Sequence, residues 1–358
     1  MAATPADDVP RVVVFGLGGT IAMTTGAAGG VVPALSADQL VAAVPGLGDT
    51  GIDVKVVNFR NRPGASLTFE DLTELASQVR GHFDLGVAGA VITQGTDTIE
   101  ETAYLLDLLH DQPQPVVVTG AMRNPTLAGA DGAGNLLAAI VVAASAQARH
   151  LGSVVVLADE IHAAARVRKT HSTSAATFAS PDGGPLGYLI EGIPRILNRV
   201  RRHVLQGPFE PGPRQRRIGL HTATIGDDGQ ILTALADQVD GLIVAGFGVG
   251  HVPEAWVLPL TDLSARIPVV LASRTGAGPV LSSTYGFPGS ERDLLSRGLI
   301  SAGLLDPYKA RILLHLCLAR GADRAQVAAA FQAAGGLGDP AEWSWPAPAR
   351  ATVTAADL

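Results

Sequence analysis

The strongest constraint on the fold is a series of short apolar runs, rich in β-branched residues and separated by longer amphipathic segments. The runs are RVVVF at 11–15, DVKVVNF at 53–59, GAVIT at 89–93, PVVVTG at 115–120 and SVVVLA at 153–158. A strand with one wet face alternates polar and apolar residues. These runs are continuous instead, as strands covered on both faces should be. The intervening segments open with helix-start signals. Ser36 stands three before Gln39, Thr68 three before Asp71 and Thr98 three before Glu101, and GNLLAAIVVAA follows Asp131. This alternation predicts an α/β fold, with a doubly wound, mostly parallel sheet in a large N-terminal domain.

The pattern breaks over 190–217, which holds four prolines and seven arginines. We therefore expect an N-terminal domain over 1–193, a crossing linker over 194–217, and a second, smaller α/β domain over 218–358. The last is marked by GLIVAG at 241, PVVLAS at 268 and a helix over 307–320. The basic stretch also suits a nucleic-acid patch, but a net charge of −7 argues against that partner. With 47% hydrophobic and 16% charged residues, the chain reads as a folded globule. The N-terminal MAATPADDVPR lacks the basic start and apolar core of an export signal. The longest apolar run, LLAAIVVAASA at 136–146, is too short to cross a bilayer. A cytoplasmic location and no membrane partner are expected. The single cysteine, Cys317, forms no internal disulfide and reads as a buried helix residue, and no Cys/His cluster has zinc spacing.

Open parallel sheets bind ligands beyond the carboxyl ends of their strands. Three loops fall at such ends: GLGGTIA after the first run, QGTDT after the third and TGAMR after the fourth. The first has Gly16 and Gly18 but Ile21 where a dinucleotide fingerprint needs its third glycine, which leaves Thr20 at the tip. Thr and Gly also serve as ordinary caps in βα turns; convergence of three such loops is what favours a site. Asp97, at a helix start, is held ionised and suits a substrate ammonium. Ser66, two residues before another helix start, suits a carboxylate, or is a loop serine without a role. Lys169 follows Arg166 and Arg168 in a chain with three lysines against 23 arginines. Arginine does not titrate, whereas a lysine facing other cations in a dry site becomes a base for a hydroxyl; a solvated basic loop is the other reading. A threonine nucleophile, a Thr–Lys–Asp group, and sites for a carboxylate and an ammonium together describe amide hydrolysis of an amino acid. No GxSxG elbow and no P-loop is present.

With these residues in place, the chain resembles the bacterial-type L-asparaginase family, the two-domain class that includes glutaminase-asparaginases. The resemblance is carried by GGTIA at 18–22, TQGTDTIEETAYLLDL at 93–108, TGAMR and ADGAGNL over 119–136, and DEIHAAARVRKTHSTSAATFAS at 159–180. It continues through GPLGY at 184, AGFGVGH at 245, SRTGAG at 273 and LLDPYKARILL at 304. It implies Thr20 as nucleophile, and Thr96, Lys169 and Asp97 as the second catalytic group. Asp97 also binds the α-amino group, Ser66 the α-carboxylate, and Ala121 with the Thr96 backbone the oxyanion. Counting back from GLISAGLLDP gives Glu291 as an acidic substrate contact lent by a neighbouring subunit, which implies a homotetramer of paired dimers. No metal or organic cofactor is implied.

The sequence departs from the family in three places. The loop after the nucleophile, MTTGAAGGVVPAL, lacks the usual tyrosine, for which Tyr285 in STYGFPGSE is a candidate stand-in. His251 stands where many members have Asn, and GADG replaces SADG. The expected activity is hydrolysis of L-asparagine to L-aspartate and ammonia through an acyl-enzyme, with lesser glutaminase activity. A non-catalytic sensor of aspartate or asparagine is the alternative. A relative that feeds ammonia to a tRNA-bound substrate would need a partner subunit and a further N-terminal domain.

Overall fold

The computed structural model describes residues 9–19, 21, 23–25, 31–33, 35–204 and 216–338. The chain divides into two compact units, Met1–Val204 and Leu205–Leu358.

In chain order, the first unit contains β1 (Arg11–Gly16), β2 (Met23–Thr25), β3 (Val31–Pro33), α1 (Ala37–Ala42), β4 (Asp53–Asn58), α2 (Phe69–Asp84), β5 (Gly89–Thr93) and α3 (Ile99–Leu109). It continues with β6 (Val116–Thr119), α4 (Gly132–Ala144), β7 (Ser153–Leu157), β8 (Glu160–Ala163), β9 (Arg168–Lys169), β10 (Phe178–Ala179), β11 (Gly187–Ile190) and β12 (Ile193–Ile196). All five predicted runs are strands, and they form the parallel part of one sheet in the order β4-β1-β5-β6-β7. The antiparallel β8, β11 and β12 extend it beyond β7. Val12, Val14, Val91, Val117, Val154 and Val156 meet Leu136 and Ile140 of α4 in one core. On β1, Phe15 has the alternate orientation and meets His82 of α2 edge-on at 5.5 Å. Covering both faces is what the continuous apolar runs required.

The helix-start signals divide into two kinds. Ser36 and Thr68 make capping boxes with Gln39 and Asp71. Thr98 and Asp131 occupy N-cap positions without capping. Their side chains bond neighbouring loops instead.

The expected domain boundary at 193 falls inside the first unit. Residues 193–196 are edge strand β12, and Pro194 is tolerated there because an edge residue need not donate to a further strand. Two of the arginines that suggested a linker are tethers. Arg199 donates to the carbonyls of Arg149 and Gln147. Arg202 pairs with buried Asp107 at 2.8 Å and donates to the His110 carbonyl.

The second unit contains β13 (Ile218–Thr222), α5 (Gln230–Leu235), β14 (Gly241–Gly246), α6 (Val257–Arg266), β15 (Val269–Ser273), α7 (Glu291–Ser296), β16 (Ile300–Ser301), α8 (Pro307–Ala319) and α9 (Arg324–Ala334). Its four strands form a parallel sheet in the order β13-β14-β15-β16. Trp256, Leu260 and Leu263 pack with Leu242, Val244 and Leu271. Cys317 is buried on α8, and that burial pushes its thiol well above the ordinary range. Among the described residues, no helix is long and apolar enough to cross a membrane.

Two histidines of the first unit make its stability sensitive to acid. Burial, with nearby Arg202 adding to it, lowers His110 from 6.5 to about 4. Burial likewise lowers His162 to about 4; the Glu160 carboxylate 3.1 Å away is partly in water and does not offset it. Because the folded values lie below the unfolded ones, protons bind the unfolded chain first. The contribution is complete above pH 6.5 and is lost as pH falls towards 4, about 3 kcal/mol per histidine at the limit. The thermal midpoint of the first unit should therefore fall steadily between pH 6.5 and 4. Replacing both residues with glutamine should flatten that slope; an unchanged slope would assign the acid loss to other groups.

Candidate active site

In the parallel part of the first sheet, β1 lies between β4 and β5. The chain completes β1, pairs β4 on one side, then crosses to lay β5 on the other. The order therefore reverses between β1 and β5, and in open parallel sheets ligands bind beyond the carboxyl ends of the strands at such a reversal. The loops at those ends of β1 and β5 are 17–22 and 94–98, two of the three singled out in the sequence. The third, 120–123, follows β6 on the same edge of the sheet.

These loops are in backbone contact. Gly19 has φ +90°, and a β-carbon there would lie 2.1 Å from the Gly95 nitrogen. Only glycine brings the first loop this close to the second. A β-carbon on Gly120 would lie 2.5 Å from the Gln94 carbonyl oxygen, so the third loop packs equally tightly on the second. A fourth loop, the turn Gly64–Ser66 after β4, joins through Thr98, whose Oγ1 donates to the Gly64 carbonyl at 3.2 Å and accepts from Gln94 Nε2 at 3.1 Å. Asp131 accepts from the backbone N–H of Met122 and Arg123, and Asn135 donates to the Gly120 carbonyl. The acid expected to cap α4 thus orders the loop that carries Ala121. Thr98, Asp131 and Asn135 organise the site without having been picked out for it; a helix-start polar residue looks the same in sequence whether it caps its own helix or ties another loop.

Thr96, Asp97 and Lys169 are brought together. Lys169 Nζ lies 2.9 Å from Thr96 Oγ1 and 2.8 Å from Asp97 Oδ1. Thr96 is buried in the turn Thr96–Thr98, Lys169 is 14% exposed, and Asp97 is 72% exposed. The group thus runs from the interior to the surface, with a hydroxyl at the dry end and a carboxylate at the wet end. Lys169 arrives from far along the chain on the ribbon β9–β10, where its backbone pairs with Phe178. Ser66 is exposed in its turn, and Ala121 is fully buried beside Gly132. Thr20 and part of the tyrosine-free loop after it lie outside the described residues; Gly19 and the buried Ile21 are described on either side of that threonine.

Glu291, from the second unit, is fully buried on the first turn of α7. Its Oε1 accepts from the backbone N–H of Thr284 and Tyr285 at 3.0 and 2.8 Å, and its Oε2 lies 3.2 Å from His251 Nε2. Burial works to raise this carboxyl. The N–H groups of Tyr285, Glu291 and Thr284, with the His251 ring, outweigh it and hold the group below its ordinary range. The rings of Tyr285 and Phe287 each meet His251 edge-on at 4.9 Å. The departure His251 and the candidate stand-in Tyr285 thus form one cluster with Glu291. Among the described residues, no group of three or more His, Cys, Asp or Glu side chains is arranged to hold a metal ion.

Residues 11–201 match the family model "Asparaginase, N-terminal", and residues 217–331 match "Glutaminase/Asparaginase C-terminal domain". The chain is 35% identical over 332 residues to a probable L-asparaginase of Deinococcus radiodurans, spanning 90% of this chain and 97% of that protein. It is 32% identical over 336 residues to L-asparaginase 2 of Escherichia coli, spanning 90% and 93%. It is also 32% identical over 338 residues to a glutaminase-asparaginase of Pseudomonas aeruginosa, spanning 91% of each. The crystal structure of a probable cytoplasmic L-asparaginase from Campylobacter jejuni superposes with a TM-score of 0.80 at 33% identity, covering 90% of this chain and 99% of that one. With both halves matched in order and relatives aligned along nearly their whole length, the chain belongs to the asparaginase family.

Proposed function

We propose that this protein hydrolyses L-asparagine to L-aspartate and ammonia, with a lesser glutaminase activity. The observation that carries the reading is the Thr96–Lys169–Asp97 group, joined by bonds of 2.9 and 2.8 Å beyond the carboxyl end of β5. In this reading Thr20 attacks the side-chain amide carbon. The amide nitrogen leaves as ammonia after taking up a proton, and an acyl-enzyme remains on the threonine oxygen. Water, activated within the Thr96–Lys169–Asp97 group, then attacks the ester and releases aspartate. The buried backbone around Thr96 and Ala121 offers N–H groups to the developing oxyanion, where a dry setting makes each donor count most.

The solvent-facing carboxylate of Asp97 takes the substrate ammonium, and Ser66 takes the α-carboxylate. Glu291, supplied by a neighbouring copy of the chain in a homotetramer of paired dimers, adds a second acidic contact. No metal or organic cofactor takes part in this scheme. A cytoplasmic setting suits it and agrees with the description of the Campylobacter relative.

Ammonia release by the purified protein, with L-asparagine and L-glutamine compared side by side, tests the reading. Turnover of asparagine is expected to exceed that of glutamine at saturating substrate. Tight calorimetric binding of L-aspartate with no turnover of either amide would favour the sensor instead.

A further inference from the structure

Lys169 must be delivered to Thr96 by an element that is not part of the main sheet. Its strand, β9, is two residues long and, among the described residues, pairs only with the equally short β10. In this ribbon Thr170 N–H donates to the Thr177 carbonyl, and Thr170 Oγ1 donates to the same oxygen. Hydrogen-bonded and non-bonded pairs alternate along an antiparallel ladder, so the Lys169–Phe178 pair is non-bonded and the Lys169 N–H points away from β10. That N–H donates to Glu100 Oε2 at 3.2 Å.

Glu100 is 7% exposed and sits in the first turn of α3, directly after the turn that carries Thr96 and Asp97. One buried carboxylate therefore ties the backbone of Lys169 to the helix whose N-terminal approach supplies both of the partners of its ammonium. The lysine is held at two points, its main chain by Glu100 and its side chain by Thr96 and Asp97.

We infer that Glu100 is a positioning residue for the reaction, fixing the register of the β9 ribbon so that the Lys169 ammonium reaches the Thr96 hydroxyl. This rests on the asparaginase reading and deepens it. Misplacement of a reacting group by about 1 Å is enough to cost a hundredfold. The bond from Lys169 N–H to Glu100, at the outer edge of a two-residue strand, is a point where such a shift begins.

The test compares variants that keep or remove the acceptor. Glu100→Gln keeps an oxygen at the same reach and should retain kcat within about threefold. Glu100→Met keeps the length without the acceptor and should lower kcat at least about tenfold, with a smaller change in KM. Glu100→Asp keeps the charge but withdraws the oxygen by about 1.5 Å, and should behave like the methionine variant even if that variant folds poorly. In a Lys169→Met background, Glu100→Met should cost nothing further, because no ammonium remains to be placed. A glutamine variant as impaired as the methionine one, or an undiminished loss in the Lys169→Met background, overturns the inference. Wild-type activity in Lys169→Met itself would overturn the underlying reading and the inference together, whereas failure of the Glu100 comparison alone leaves that reading standing.

Discussion

Thr20→Ala is expected to abolish ammonia release from L-asparagine, lowering kcat by at least about four orders of magnitude while the protein stays folded. The expectation follows from chemistry that no other residue of the first loop can supply. Between β1 and residue 22 the sequence is Leu17, Gly18, Gly19, Thr20, Ile21, Ala22, so Thr20 carries the only hydroxyl. Its neighbour Gly19 packs its backbone against Gly95, one residue from Thr96. Alanine at position 20 removes the oxygen and leaves the glycine contact and the Ile21 packing intact. Thr20→Ser restores a hydroxyl and should recover a measurable share of the rate. A substrate-like electrophile that acylates the nucleophile should add one mass increment to the wild-type chain and none to the alanine variant. An alanine variant that turns over asparagine at the wild-type rate, with unchanged circular dichroism, would remove Thr20 from the mechanism.

Much of this fold could be read in the sequence because β1, β5, β6 and β7 are buried on both faces and therefore leave unbroken apolar runs. GAVIT became β5 with the same limits, and SVVVLA became β7 short of its last alanine. The strands that close the sheet edge were harder to see. IPRI in β12 contains a proline and an arginine and looks like linker, because an edge strand needs neither a full ladder of donors nor two apolar faces. The candidate site was legible where a residue type was unusual for this chain. Lys169 stood out against 23 arginines, and the structure joins it to Thr96 and Asp97. Glu100 did not stand out, since Glu100 and Glu101 look like the acids that commonly begin a helix. Only three-dimensional pairing shows that Glu100 accepts a bond from a residue 69 positions away.

Lys169→Met should reduce turnover of L-asparagine by about a hundred- to ten-thousandfold, the range for loss of acid–base help in a transition state. Thr96→Val, which keeps the shape and deletes the hydroxyl, should fall in the same range. If the two side chains act as one unit through their 2.9 Å bond, the double variant should be scarcely worse than either single one. The more discriminating change is Lys169→Arg. Arginine preserves the positive charge and the pairing with Asp97, and this chain uses it almost everywhere else. Its guanidinium is planar and does not release a proton in a protein, so it can neither match the single-point geometry at Thr96 Oγ1 nor serve as a base. Arginine should therefore rescue little of the methionine loss in kcat. It should keep KM closer to the wild-type value, because the Asp97 carboxylate retains a cation partner. A fully active Lys169→Arg enzyme would reduce the lysine to a fixed charge and move the proton transfer to another group. Strict dependence on lysine would instead identify the ammonium, standing between a buried hydroxyl and an exposed carboxylate, as the centre through which the deacylating water is activated.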